Sequence, residues 1–461
     1  MTATTTETPA APRAEPPPRG GFLRSPTAKF VFIALLSLLL IVPQLMVYAL
    51  KDERAGRRDE VVATIARDWA GPQRLFGPVL LVPYTVATSA GTRDGLPYTA
   101  TVETRTAVIL PERFALAGDL AAETRRLSLY EVPVYGATAT LTAHFGPVGP
   151  EHFPGDVRGV DRARAVLSIG ISDLGGIETA DLAVAGTSAS LESGVGVAGG
   201  AVGLHAALPA GLLDATTAGG FDVTLALRLK GSGGFQVAPV GRTSEVKLAS
   251  NWPHPGFSGG TLPSERALRP DGFEATWRVP QLARNVPQTW TAETEGYDRF
   301  DGETVGVDLA APLDLYALVD RALKYGLMFV GAVFGIVFVL EILSPRRIHI
   351  VQYALVGLVL VFFYVLLLAF AEQIGFGPAY AVASLATGGV VTAFVGMQLG
   401  GLVRTAVAAG AFGALFGLLY AILRLEDVAL MAGAVTGFVL LTVVLFATRR
   451  VDWSGTAPAG T

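Results

Sequence analysis

Two parts of this chain stay apolar for longer than a water-soluble fold can use. Phe30 to Leu50 contains no charged residue, and Tyr325 to Arg449 is a dense apolar region broken only by short polar gaps. The hydrocarbon core of a bilayer needs about 20 mostly apolar residues of helix, because each residue rises ~1.5 Å. Phe30–Leu50 has that length, with Pro43 tolerable as a kink inside a bundle. A cleavable signal peptide is the competing reading, since Val47-Tyr48-Ala49 loosely resembles a cleavage site. Its apolar region should run only about 7–15 residues, however. The segment reads as an uncleaved anchor.

The C-terminal region divides into five further spans: Tyr325–Leu343, Tyr353–Ala371, Ala379–Leu399, Thr405–Leu423 and Val428–Phe446. The gaps between them are short, which makes consecutive spans antiparallel neighbours. Arginine then decides the orientation. With the N-terminus cytoplasmic, Arg346 and Arg347, Arg404, and Arg449 and Arg450 all fall on the inner side, with Arg13, Arg19, Arg24 and Lys29 of the N-terminal tail. That is the distribution the positive-inside rule requires. The outer gaps carry Glu372 and the Arg424/Glu426/Asp427 cluster. Lys51, Arg54, Arg57 and Arg58 stand on the outer side of the first span, but large domains translocate largely regardless of such charge.

Between the apolar regions lies a segment of ordinary soluble composition, Lys51 to Lys324, long enough to bury a core. Over the whole chain 16% of the 461 residues are charged, against about 25% in soluble domains. The net charge of -4, without a basic stripe, excludes nucleic acid as a partner. The absence of cysteine excludes disulfides, thiolate-bound zinc and thiol catalysis. Residues 1–29, rich in Thr, Ala and Pro up to Ser25, read as a disordered cytoplasmic tail.

The soluble segment opens with Val61, Val62, Ile65 and Trp69 at helical spacing. Strand patterns follow. Phe221 to Lys230 alternates strictly between apolar and polar or small residues, and Ala137 to Phe145 does so with Thr138, Thr140, Thr142 and His144 on one side. Thr101–Leu110 and Ala165–Ile171 are weaker examples. Alternation of this kind predicts antiparallel sheets with one solvated face. The predicted architecture is an α+β membrane protein of six transmembrane helices, one N-terminal and five C-terminal. A large, mainly-β, sandwich-like extracytoplasmic domain (51–324) separates the first span (30–50) from the bundle (325–448), and 449–461 form a second cytoplasmic tail.

Several motifs resemble catalytic ones and lack their context. Gly194-Val195-Gly196-Val197-Ala198-Gly199 has dinucleotide-fingerprint spacing, but that motif needs a strand before it and a helix after it, and its flanks here are rich in Ser, Ala and Gly, so it reads as a loop. Ser244-Glu245-Val246-Lys247 has a serine–lysine spacing that works only with the serine at a helix start; here it sits in a strand-like run. His144, His152, His205, His254 and His349 show no metal-ligand spacing. No enzyme activity, metal or cofactor is expected. Glu341 differs, because an ionisable group within a span is costly and defaults to a functional reading. The plainer reading pairs it near the interface with Arg346 or Arg347; the alternative is a proton or ion relay, with Glu341 the charged element of a transporter or channel for a small solute or lipid. Glu372 and Arg404, at span ends, are expected to face water or headgroups. Gly331/Gly335, Gly396/Gly400 and Gly413/Gly417 have the small-residue spacing that lets helices approach, within the chain or between chains in an oligomer.

Several runs resemble the CreD family of bacterial inner-membrane, cell-envelope-integrity proteins. They are Lys324-Tyr325-Gly326, Arg347-Ile348-His349-Ile350-Val351-Gln352-Tyr353, Phe363-Tyr364, Ala371-Glu372-Gln373-Ile374-Gly375-Phe376, Leu425-Glu426-Asp427 and Thr448 to Trp453. In the soluble segment Gly77 to Leu80, Trp252-Pro253-His254-Pro255 and Gly272 to Trp277 also fit. The family more often has Pro at the position of Ile350, and Ser-Glu-His at Ala371 to Gln373. The resemblance implies a multi-pass inner-membrane location with the large domain periplasmic, and a part in envelope stress, colicin tolerance and β-lactam response. It brings no catalytic residue. The implied partners are membrane lipids and an envelope component or protein. The candidate functional residues are Glu341, Arg346, Arg347, His349, Gln352, Glu372, Glu426 and Asp427.

Overall fold

The computed structural model describes residues 26–88, 91–93, 96–98, 101–127, 130–196, 202–215, 219–293, 300, 302–309, 315–425 and 429–449. The predicted N-terminal tail to Ser25, and Glu426 and Asp427, lie outside them. The chain forms two compact units, one of helices from Met1–Ala55 and Asp314–Thr461, the other β-rich from Gly56–Leu313.

The helical unit begins with α1 (Pro26–Leu39) and α2 (Ile41–Trp69). Pro43 has no N–H to give the carbonyl four residues back, and its ring crowds that carbonyl. The helix accordingly breaks at Leu40, although Leu40 still donates to the carbonyl of Leu36 at 3.0 Å. After the short α3 (Leu212–Ala215) of the other unit come α4 (Leu315–Lys324), α5 (Gly326–Ile342), α6 (Ile350–Ile374), α7 (Phe376–Leu399), α8 (Leu402–Arg424) and α9 (Ala429–Ala447). Among the described residues, Thr27–Trp69, α6, α7 and α8 are long and apolar enough to cross a membrane. The second predicted span differs. It is the pair α4–α5, bent by 51°, which passes the same test only as a pair, and the apolar part of α9, Met431–Phe446, is shorter. Gly375 (φ 78°) and the pair Gly400 (φ 68°) and Gly401 (φ 93°) make the turns on either side of α7, where other residues would be strained. Aromatic rings fill the interior, with Phe363 in contact with Phe329, Tyr364, Tyr380 and Phe416.

The β-rich unit is built on a ten-stranded and an eight-stranded sheet whose inner faces contribute to one apolar core. Phe221–Ser232 pairs antiparallel with Tyr130–Phe145 over its whole length, Phe221 opposite Phe145 and Ser232 opposite Val134. From Phe221 to Leu229 buried and exposed residues alternate without a break, as the sequence period requires. Val166–Ile171 alternates poorly because both its faces are covered; Ser168 is fully buried and donates to the carbonyl of Val195 at 2.6 Å. The sheets depart from the all-antiparallel expectation twice. Gln73–Leu75 runs parallel to Phe235–Val237, and Thr243–Ser250 parallel to Arg113–Leu120. Residue alternation reports burial of a face and carries no information on strand direction. The predicted amphipathic stretch is the end of α2, where Ile65, Val61 and Trp69 pack on Val132 and Val134.

Tyr135 joins the two sheets. Its ring is fully buried against Phe235, and its hydroxyl donates to the carbonyl of Gly234 at 2.7 Å. Burial pushes its pKa well above the ordinary 10.0. The unfolded chain therefore loses this proton at a pH where the folded chain holds it. Its contribution is intact below about pH 10 and falls as pH rises beyond. Stability between pH 10 and 11.5 is expected to decline by about 1.4 kcal/mol per pH unit less in Tyr135→Phe than in the parent. Denaturant titrations across that range measure this, and identical slopes would refute it.

Candidate functional site

Glu341 lies on the last turn of α5, is 1% exposed, and is enclosed by three donors. Lys29 of α1 forms an ion pair with its Oε1, the backbone N–H of Ile348 donates to the same oxygen at 3.2 Å, and Tyr353 Oη donates to Oε2 at 2.8 Å. Lys29 also donates to the carbonyl of Ile348 and stands 5.2 Å from the centre of the Tyr353 ring. A buried carboxylate without partners would cost several kcal/mol. Here one charge, one main-chain amide and one phenol satisfy it, and together they join α1, the end of α5 and the start of α6.

The pairing with Arg346 or Arg347 expected from the sequence is not formed. α5 ends at Ile342, and Pro345 leads the chain away, so Arg347 is exposed and Arg346 Nη1 lies 3.5 Å from the carbonyl of Met397 instead. α1 packs beside α5, with Phe30 5.8 Å from Phe338, and this brings Lys29 to the carboxylate. Lys29 and Tyr353 are thus the residues that sequence reasoning missed. A signal existed for Lys29, which opens the first span on the side where the second span ends.

The other candidates have separate surroundings. His349 and Gln352 cap α6. The N–H of Val351 donates to His349 Nδ1 at 3.3 Å, and the N–H of His349 to Gln352 Oε1 at 2.9 Å. Arg404 donates to the carbonyls of Leu399 and Gly400, both at 3.3 Å, and to Leu343 at 3.4 Å, so it serves the free carbonyls where α7 and α5 end. Glu372, at the far end of α6, does not simply face water. Its side chain is 10% exposed, accepts from Tyr316 Oη at 3.0 Å and lies 3.8 Å from Arg54. Near that end Asp320 binds Lys51 at 3.1 Å and Lys324 at 2.7 Å. The helical unit thus carries an ionic cluster at each end of its apolar length.

In the β-rich unit the two enzyme-like motifs do not assemble. Ser244 is buried and bonded to Gly241, while Lys247, an odd number of residues along the same strand, points to the opposite face. Gly194 and Gly196 lie between strands Glu192–Ser193 and Gly203–Ala207, which pair antiparallel and not as a parallel crossover unit; Val197 to Gly199 are outside the described residues. Among the described residues no three His, Asp or Glu side chains converge in a way that could hold a metal ion.

What the register does assemble is the outer face of the eight-stranded sheet. Asp222, His144, Arg113 and Thr243 form one cross-strand row, Thr224, Thr142, Ala115 and Glu245 the next, and Ala226, Thr140, Ala117 and Lys247 a third. Two hollows of about 710 and 370 Å³ lie on it, the first lined by Arg113, His144, Thr142 and Thr224, the second by Asp119, Thr138 and Thr276. Most charges here are already engaged. His144 meets Asp222 at 2.7 Å, and Arg278 meets Glu265 at 2.7 Å. Hydrogen bonds from Lys247 to Glu245 and from Arg278 to Glu265 hold both carboxyls below their usual range.

Comparison with known proteins bears on both units together. The profile described as CreD, Inner membrane protein CreD, matches residues 25–454. The chain belongs to the CreD family. It is 33% identical over 430 residues to the Inner membrane protein CreD of Escherichia coli (strain K12), covering 90% of this chain and 91% of that one. The CreD match runs from just before α1 to beyond α9, so it takes in the Glu341 cluster and the whole β-rich unit.

Proposed function

We propose that this CreD-family protein supports the integrity of the cell envelope by non-enzymatic binding through its β-rich unit, with the helices as its anchor. Six spans carry it, both termini are cytoplasmic, and the β-rich unit lies on the periplasmic side. The clustering of Lys29, Arg346, Arg347 and Arg404 at one end of the helical unit supports that orientation. The observation that carries the reading is the state of Glu341. A transport or relay site needs a charge free to change partners, whereas this carboxylate is enclosed by Lys29, Ile348 and Tyr353 and ties three helices together. Side chains such as Leu385, Leu402 and Phe438, all strongly exposed, suit contact with lipid.

Deleting the gene is expected to alter envelope permeability and β-lactam response. A Lys29→Met/Glu341→Met double variant, which keeps the packing and removes both charges, is expected to restore them. Failure of a folded double variant to complement would favour the relay. A deletion strain indistinguishable from the parent would refute the envelope role.

A further inference from the structure

We infer that the outer face of the eight-stranded sheet is a seat for a carboxylate-bearing glycan, with Arg113 as the residue that receives the carboxylate. The inference rests on the binding role proposed above and names the surface and the ligand chemistry.

Three observations lead to it. The first is what the face offers. A sheet presents only side chains on its face, since the ladder already uses its backbone groups. A peptide therefore finds neither the strand edge nor the apolar anchor pockets through which peptides are usually held. The exposed side chains at the middle of the central strands are Thr138, Thr140, Thr142 and Thr224, with Ala115, Ala117 and Ala226 between them, and charged residues flank them, Asp222 and Arg113 in the row at one end and Arg228 and Asp119 in the row at the other. Hydroxyl groups spaced by small residues suit a ligand that is itself rich in hydroxyls and amides.

The second is charge. Among the described residues, Arg113 is exposed in the larger hollow with neither an acid nor a hydrogen-bond partner, while Arg278, Lys247 and His144 beside it are all engaged. The Arg113 guanidinium, a planar two-donor fork, matches one carboxylate. A dianionic phosphate is disfavoured, because Asp222 and Glu245 line the same hollow.

The third is extent. Asp119, exposed and likewise without a partner among the described residues, lies in the second hollow, six residues from Arg113 along the same strand. That places it ~20 Å away at the rise of a strand. A ligand spanning both hollows is extended, meets Arg113 at one end, and meets Asp119 as an acceptor for its hydroxyls at the other, where Arg228 stands two strands over in the same row. Acidic and basic side chains thus alternate along the face, which suits a glycan with widely spaced carboxylates better than a continuous polyanion.

The test uses the full chain in nanodiscs of phosphatidylethanolamine and phosphatidylglycerol. The probe is a hexasaccharide of alternating N-acetylglucosamine and N-acetylmuramic acid with free lactyl carboxylates. Its carboxylate-amidated form, a phosphorylated neutral hexamer and an acidic peptide are compared with it. Arg113→Gln is expected to weaken the carboxylated chain by about tenfold or more and leave the amidated chain unchanged. Arg113→Lys should recover part of the loss. Equal binding by parent and Arg113→Gln, or preference for the phosphorylated chain or the peptide, would overturn the assignment. In native membranes, photocrosslinkers replacing Thr140 on the face and Arg269 on the edge strand Glu265–Arg269 separate the two readings. A glycan adduct at Thr140 supports the seat. An adduct at Arg269 alone overturns it and leaves the binding role standing; adducts at neither overturn both.

Discussion

Lys29→Met is expected to destabilise the helical unit by about 3–5 kcal/mol, because it leaves the carboxylate of Glu341 buried without its counter-charge. The carboxylate is 1% exposed and has no route to water, whereas the Lys29 side chain is 12% exposed and long enough to reach the interface. Glu341→Met should therefore cost less than Lys29→Met, although it also orphans the N–H of Ile348 and the hydroxyl of Tyr353. The Lys29→Met/Glu341→Met double variant should recover most of the loss, since neither charge then remains to be solvated. Thermal or detergent unfolding of the four proteins in a double-mutant cycle gives the coupling. Additive single effects would mean that the ion pair is not what holds α1 to α5 and α6.

That cluster also shows what the sequence made legible. Apolar length alone located α6, α7, α8 and α9 to within a few residues of their ends, because the cost of unsatisfied backbone in a membrane permits little else, but it gave no sign of α4, of the break at Leu40 or of the continuation of α2 to Trp69. The β-rich composition and the alternating strand Phe221–Ser232 were legible for a similar reason: a solvated face imposes a period of two. The partner of Glu341 was not. Positive-inside reasoning put Lys29 and Glu341 on one side of the membrane, but proximity in sequence favoured Arg346 and Arg347. Choosing Lys29 required knowing that α1 packs on α5, where Phe30 meets Phe338. The outer sheet face was half legible. Its threonines were visible as the polar side of one strand, and Arg113 joins them by antiparallel pairing with the strand before, but their alignment with Thr243 depends on a parallel pairing between distant segments, which no local pattern encodes.

In the β-rich unit the largest effect is expected from Trp277→Ala, at about 3–5 kcal/mol. Trp277 is fully buried, packs edge-on against Phe257 at 5.9 Å, and donates from Nε1 to the carbonyl of Thr261 at 3.1 Å. Alanine removes the packing and leaves that carbonyl without its donor. Trp277→Phe keeps much of the volume and should cost less than the alanine change, the remainder being the lost hydrogen bond. Leu282→Ser, at a side chain 98% exposed, should change stability by no more than about 0.5 kcal/mol. Denaturant unfolding of the full chain followed by circular dichroism measures all three, and a Trp277→Ala cost near that of Leu282→Ser would contradict the packing described. The position also bears on binding. Trp277 faces the core between Thr276 and Arg278, and Arg278 lines the larger hollow opposite Glu245. Loosening this strand should weaken both stability and glycan binding, whereas Arg113→Gln, exposed and unpaired, should weaken binding alone. Loss of stability in Arg113→Gln would mean that the arginine belongs to the fold and not to a ligand.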